Sequence, residues 1–184
     1  MSTTKNYWKD AYKSSWEAAS TKENFIKSLI ESQTGLEVTE VGLGAGRTDY
    51  LSGSAKDHDL TKGDADLYVV GKECFIEVTG PNIPLPYSYP LWIRPDKLEN
   101  THQKIKDGKG NLHVVFHVLT EKDTKETKIR IIKLDSKFFT YYDNQEFKIV
   151  YPIIRGKQEK YVELPPEHEV ILSLEEFFEL LNTV

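Results

Sequence analysis

Apolar positions recur along this 184-residue chain in two rhythms, one close to the helical period and one of short strand-like runs, and their alternation lays out the elements. Trp8, Tyr12 and Trp16 stand four apart, with Ala11 and Ala19 nearby, and predict an amphipathic opening helix over 6–19. Ser20-x-x-Glu23 reads as a capping box for a second helix through Phe25, Ile26, Leu29 and Ile30, with Gly35 as its stop. Leu36, Val38, Val41 and Leu43 predict a strand over 36–43. The next twenty or so residues, GAGRTDYLSGSAKDHDLTKG, carry few apolar anchors and form a loop of a length usually kept for function. Two short apolar runs follow, Leu67–Val70 and Cys74–Val78, with a turn at Gly71-Lys72 between them.

Five of the eight prolines then fall between Pro81 and Pro95, which predicts a stiff extended connector or a cleft wall offering Tyr87, Tyr89 and Trp92. Pro95 suits the first turn of a helix to about Asp107, with Leu98, His102 and Ile105 inward and Gly108 and Gly110 as stops. Residues 111–119 and 128–134 read as strands, FFTYYD as a short aromatic segment, and 147–154 and 160–164 as further strands. Ser173-x-x-Glu176 caps a last helix that buries Leu174, Phe177, Phe178 and Leu181. No repeat, low-complexity tract or boundary divides the chain, so one mixed α/β domain over 1–184 is the expectation, with a core over 20–119 and a C-terminal extension over 120–184.

Composition narrows the class without naming a function. Hydrophobic residues make up 39% and charged residues 29%, as in an ordinary globular protein. No apolar stretch approaches the roughly 20 residues of a membrane span. The N-terminal residues have no apolar signal region and Cys74 is the only cysteine, so a reducing, cytoplasmic setting is expected. The net charge of −5 argues against strong indiscriminate binding to nucleic acid, though a local basic patch stays compatible with it.

The chemistry concentrates in residues 62–82. Asp64 and Asp66 open the first of the two apolar runs, and Glu77 is the one acid inside the second. Joined tightly, the two strands hold Asp66 and Glu77 side by side. Carboxylates so placed repel unless a cation lies between them, which points to a hard divalent metal, Mg²⁺ or Mn²⁺, and to phosphodiester chemistry. Asp64, two residues before Asp66, projects to the same strand face and is an alternative first acid or an outer helper. A plain loop-end role, accepting backbone hydrogen bonds, is open to both aspartates.

Other signals are weaker. GLGAGR, residues 42–47, lacks the ending of a phosphate-binding P-loop and reads as flexible turn chemistry, although Arg47 could reach a phosphate. Asp57-His58-Asp59 reads as a solvated turn. His113 and His117 share a strand face about 13 Å apart, too far for one metal, and read as partly buried structural residues. Lys125, Lys128, Arg130, Lys133 and Lys137 could track a nucleic-acid backbone, or form an exposed sheet edge alternating with Glu126 and Asp135.

The order helix, strand, strand, strand, helix, strand over 20–119, with Asp66 on one strand and Glu77 in the next, resembles the PD-(D/E)xK nuclease superfamily, whose members include restriction enzymes, Holliday-junction resolvases and repair nucleases. The resemblance covers roughly 100 residues and leaves the C-terminal third outside. It implies a restriction-endonuclease-like αβββαβ core with a mixed central sheet, extended by C-terminal strands and a terminal helix. It implies metal ligation by Asp66, Glu77 and the Val78 backbone carbonyl. Where the motif has lysine this chain has Thr79, which can hydrogen-bond a water but brings no charge. In some members that lysine has moved to the following helix. Lys97 and Lys104 are the corresponding candidates here, with Arg94 just ahead of the helix, although solvated helix charges are the plainer alternative.

The resemblance therefore implies a metal-dependent nuclease acting on DNA more readily than RNA, with nucleic acid as partner and a homodimer as one assembly. A catalytically inactive relative that binds nucleic acid or protein is the first alternative, and Thr79 is its main support. A structural subunit using the aromatic N-terminal helix and the C-terminal helix for contacts is the second.

Overall fold

The computed structural model describes residues 21–41 and 65–184. The expected helix over 6–19, the Ser20 cap, and the loop with Arg47, Asp57-His58-Asp59 and Asp64 lie outside the described residues.

Helix α1 covers residues 21–34 and buries Ile26 and Ile30 on one stripe. Gly35 ends it in the left-handed region at φ 72°, its N–H bonded to Glu31 O at 2.9 Å. Strands β1 (Val38–Glu40), β2 (Leu67–Val69) and β3 (Cys74–Thr79) follow and pair antiparallel in turn, β2 against β3 with Leu67 opposite Ile76. The joining turn occupies residues 70–73, with Gly71 at φ 87° and Glu73 at φ 49°, and is longer than the expected Gly71-Lys72. Strand β1 is shorter than the expected 36–43.

The proline-rich segment leads to β4 (Leu91–Ile93) and then α2 (Pro95–Lys106), with Arg94 as N-cap and Pro95 in the first turn. Helix α2 returns the chain so that β5 (Leu112–Thr120) runs parallel to β3, Glu77 opposite Val115. Strand β6 (Thr127–Lys133) is antiparallel to β5. Next come α3 (Ser136–Asp143), β7 (Lys148–Val150), the hairpin β8 (Ile153–Ile154) and β9 (Lys157–Gln158), β10 (Tyr161–Leu164), β11 (Ile171–Leu172) and α4 (Leu174–Thr183).

The central mixed sheet has the order β1-β2-β3-β5-β6-β11, and only the β3–β5 pair is parallel. Side chains of β5 alternate between two cores, as the pleat requires. Val114, Phe116 and Val118 join Ile26 and Ile30 of α1 and Phe177 and Leu181 of α4. Val115 joins Leu98 of α2, Phe138 and Phe139 of α3, and Val162 and Leu164 of β10. The sheet thus lies between α1 and α4 on one face and, on the other, α2, α3 and the small sheet β4-β10-β7. The expected mixed α/β fold and its αβββαβ order are present in α1, β1, β2, β3, α2 and β5, with β4 inserted.

Three local readings are corrected. Leu91–Ile93 is a strand rather than connector, since Pro90 and Pro95 bracket it without interrupting its ladder with β10. FFTYYD lies in a helix, started by the Asp135 side chain accepting from the Phe138 N–H at 3.0 Å. The run 147–154 is split between β7 and β8, with Tyr151-Pro152 between them.

Candidate active site

The β2–β3 register brings the two acids together. One step beyond the Leu67–Ile76 pair, Asp66 comes opposite Glu77. The regular ladder ends there: the Asp66 N–H bonds to Ile76 O at 3.0 Å, and the Asp66 carboxylate accepts the Val78 N–H at 2.8 Å. Asp66 is 7% exposed, within hydrogen-bonding reach of the Glu77 carboxyl and also of Glu23, a buried acid on α1. Glu77 lies on the sheet face covered by α2. From that helix Lys97 reaches it, with Nζ 3.1 Å from Glu77 Oε2 and both side chains mostly buried.

The electrostatics follow from burial. Loss of water raises the Asp66 carboxyl above its ordinary value, although the Lys97 charge and the Val78 N–H oppose the rise. Burial raises Glu77 further, well above the usual carboxylate range, and the neighbouring Asp66 charge adds to it. For Lys97 burial pulls downward, but Glu77 and Asp66 outweigh it and the ammonium ends above its ordinary value. Glu77 Oε2 is fully buried and the Lys97 contact is poorly aimed, so this oxygen lacks a well-directed hydrogen bond despite the short charge–charge distance. An under-coordinated buried carboxylate oxygen beside a second carboxylate is a donor set suited to a hard cation. Among the described residues no three His, Cys, Asp or Glu side chains form a cluster fit for a metal. The set is therefore two carboxylates, completed by backbone or water.

The remaining candidates separate. Thr79 follows Glu77 on the same strand face, half-buried at the wall of a cavity. The structure brings the Val78 N–H to the acids through Asp66, whereas the sequence pointed to its carbonyl. Lys104 lies over the Phe75 ring, 5.0 Å from its centroid, two turns along α2 from Lys97, and is not brought to the acids. Arg94 pairs with Asp96 at 2.9 Å, and its charge still acts on Lys97. Lys128 is half-buried and pairs with Glu126 at 3.1 Å.

Arg130 is a correction. It is 1% exposed, not part of a solvated sheet edge. Its guanidinium donates to Tyr87 O at 3.1 Å and Tyr89 O at 3.2 Å, and meets His117 Nδ1 at 3.3 Å, so it ties the proline-rich segment to the sheet. Burial and the Arg130 charge push His117 down to about 3, so it is neutral. His113 bonds to Lys109 O at 2.8 Å. Both histidines are buried, more deeply than expected.

Sequence reasoning assigned Glu23 only to a helix cap. Its signal was its spacing: Glu23, Ile26 and Ile30 share one stripe, where a charge is out of place without a partner.

Past Val78 and Thr79 the sheet opens into a cavity of about 670 Å³ between the proline-rich segment and the β8–β9 hairpin.

No family model matches this chain, and no curated protein does. Among solved structures it is similar to Hjc, a Holliday junction resolvase from the archaeal hyperthermophile Archaeoglobus fulgidus. The TM-score is 0.42 and the identity 12%, over 86% of this chain and 98% of that one. At such values a function has to be argued from the side chains themselves.

Proposed function

We propose that the protein is a metal-dependent nuclease of PD-(D/E)xK type, with Asp66 and Glu77 as its metal ligands. The observation that carries this reading is the buried cluster itself, two acids from adjacent strands with Lys97 beside them, at a strand end that leads into an open cavity. Mg²⁺ or Mn²⁺ bound there would lower the pKa of a coordinated water and offset charge on the phosphate.

The chain's own groups then have distinct tasks. Asp66 is held in place by the Val78 N–H and by Glu23, which fixes one carboxylate before any ligand arrives. Glu77, protonated or in contact with Lys97 in the metal-free site, would be the second carboxylate to hold the cation. Lys97, cationic and mostly buried, supplies from α2 the positive charge that Thr79 cannot. Thr79, on the cavity wall, can orient a water through its hydroxyl. Thr79 alone would suit a catalytically silent relative, and a lysine 3.1 Å from Glu77 favours the active form. DNA is the expected substrate.

The test is cleavage of plasmid, single-stranded, branched and RNA substrates with Mn²⁺, beside Asp66→Ala, together with calorimetric titration of Mn²⁺. Cleavage and binding that both disappear in Asp66→Ala support the proposal. Metal binding that survives in Asp66→Ala and in Glu77→Ala removes it.

A further inference from the structure

The cavity beside Thr79 has a composition unlike the rest of the molecule. Its described walls include Tyr89, Trp92 and Tyr161, while Lys22 and Arg155 contribute cationic groups and the buried Arg130 turns its guanidinium to the Tyr87 and Tyr89 carbonyls. Glu159 is the one acid among the described lining residues, and it accepts a hydrogen bond from the Tyr161 hydroxyl at 2.7 Å. Among the described residues, Lys22 and Arg155 against Glu159 give the lining a positive balance in a chain whose net charge is −5. The local excess therefore marks a place for an anion or for a group that carries one.

The aromatic wall is held firm. Trp92 and Tyr161 lie face to face with centroids 5.6 Å apart, and the Trp92 indole N–H donates to Glu163 at 2.7 Å. Arg130 fixes the Tyr87 and Tyr89 carbonyls, so the segment bearing Tyr89 is anchored to β6. Lys22, also in the lining, donates to Asn82 Oδ1 at 2.7 Å. Rigid aromatic surface with cations at its border is the arrangement that receives an unpaired base and its phosphate. A volume near 670 Å³ admits one, and lies within the roughly 300–1,000 Å³ of pockets that take small organic groups.

Position adds the second argument. Val78 and Thr79 belong both to the cavity wall and to the strand that carries Glu77. A base seated there belongs to a nucleotide adjoining the one whose phosphate meets the acids. Fully paired duplex keeps its bases stacked inside and cannot fill the cavity without unpairing.

We infer that this cavity receives one unpaired nucleobase next to the phosphodiester to be cut, so that the protein prefers nucleic acid with a single-stranded end, flap or junction over continuous duplex. The inference rests on the nuclease reading for its class of ligand, but the cavity can be tested without catalysis.

The experiment measures anisotropy of labelled DNA with EDTA present, comparing a blunt duplex with the same duplex carrying a short single-stranded overhang. Three variants accompany the wild type, the conservative Trp92→Phe among them. Trp92→Leu removes a ring. Arg155→Asn removes a charge at the hairpin tip and keeps a residue that tolerates the φ of 52° found there. The expected result is overhang binding at least about tenfold tighter than blunt in the wild type, with roughly 5- to 100-fold loss for the overhang alone in Trp92→Leu. Trp92→Phe should restore most of it, and Arg155→Asn should weaken both the overhang and its preference. Equal affinity of the wild type for the two DNAs, as a cavity meant for a protein partner predicts, overturns the inference. So does a preference that both Trp92→Leu and Arg155→Asn leave intact. The Mn²⁺ cleavage assay reports separately: preference without cleavage leaves the cavity assignment standing and removes the nuclease reading, whereas cleavage without preference does the reverse.

Discussion

On the proposed reading, Glu77 is the residue through which metal, proton and lysine would compete. Its carboxyl and that of Asp66 are raised by burial, so in the metal-free folded state they keep protons that the unfolded chain has released. Between the ordinary carboxylate range and the raised values, the native state binds more protons, and stability falls as pH rises through that window. Melting temperatures of metal-free protein should therefore decline as pH rises above the ordinary carboxylate range, and Glu77→Gln should flatten that decline and raise the melting temperature at its upper end. Because the cation must displace protons, Mn²⁺ affinity should increase over the same range. Lys97 gives a second prediction. Lys97→Met should lower the single-turnover cleavage rate by about 10²–10³-fold, the cost typical of losing one preorganised charge or donor. Metal affinity should persist or rise, since the cation no longer competes with an ammonium 3.1 Å from Glu77. Calorimetry beside rapid-quench kinetics separates the two effects.

At the scale of elements, the site depends on how β3 ends. Gly80 follows Thr79 with φ 144°, and a Cβ there would run into the Val118 carbonyl oxygen on β5. Gly80→Ala must push the strand end away from β5 and should cost about 1–3 kcal/mol in urea unfolding. Cleavage should drop as well, because Thr79 and the cavity wall move with it. Much of this was legible in the residues. Apolar runs marked β2 and β3, and a lone acid inside FIEV stood out as costly to bury; the register sets it opposite Asp66, and Lys97 supplies the opposite charge. Lys97 was legible only as one of two lysines on α2. The helix's rotation over the sheet, set by Leu98 packing on Val115 and Ile132, chooses Lys97 for Glu77 and leaves Lys104 over Phe75. Strand β4 was hidden because its partner, β10, lies about seventy residues away and prolines surround it. Arg130 was misread because strand alternation says which face a side chain takes, not whether a later segment covers that face.

For the molecule as a whole, the proposed function raises the question of how an acidic protein would hold a polyanion. The net charge of −5 sets a general repulsion, and the described cations able to meet phosphate near the site are few: Lys22 and Arg155 at the cavity, and Arg94 at the start of α2. A protein that neutralises about three phosphates shows a salt slope near −3 on duplex and near −2 on single strands, far shallower than the slope of about −10 found for strongly basic binders. Affinity should therefore come mainly from the cation at Asp66 and Glu77 and from stacking in the cavity, neither of which monovalent salt screens strongly. Titrating KCl against overhang DNA should give a slope near −2 with EDTA, and adding Ca²⁺ should tighten binding without steepening that slope. Asp66→Asn should remove the Ca²⁺ gain alone, while Arg155→Asn should reduce the slope by somewhat less than one. A slope of −6 or steeper would mean that an extended basic surface carries the binding, and the acids would then have no part in holding the substrate.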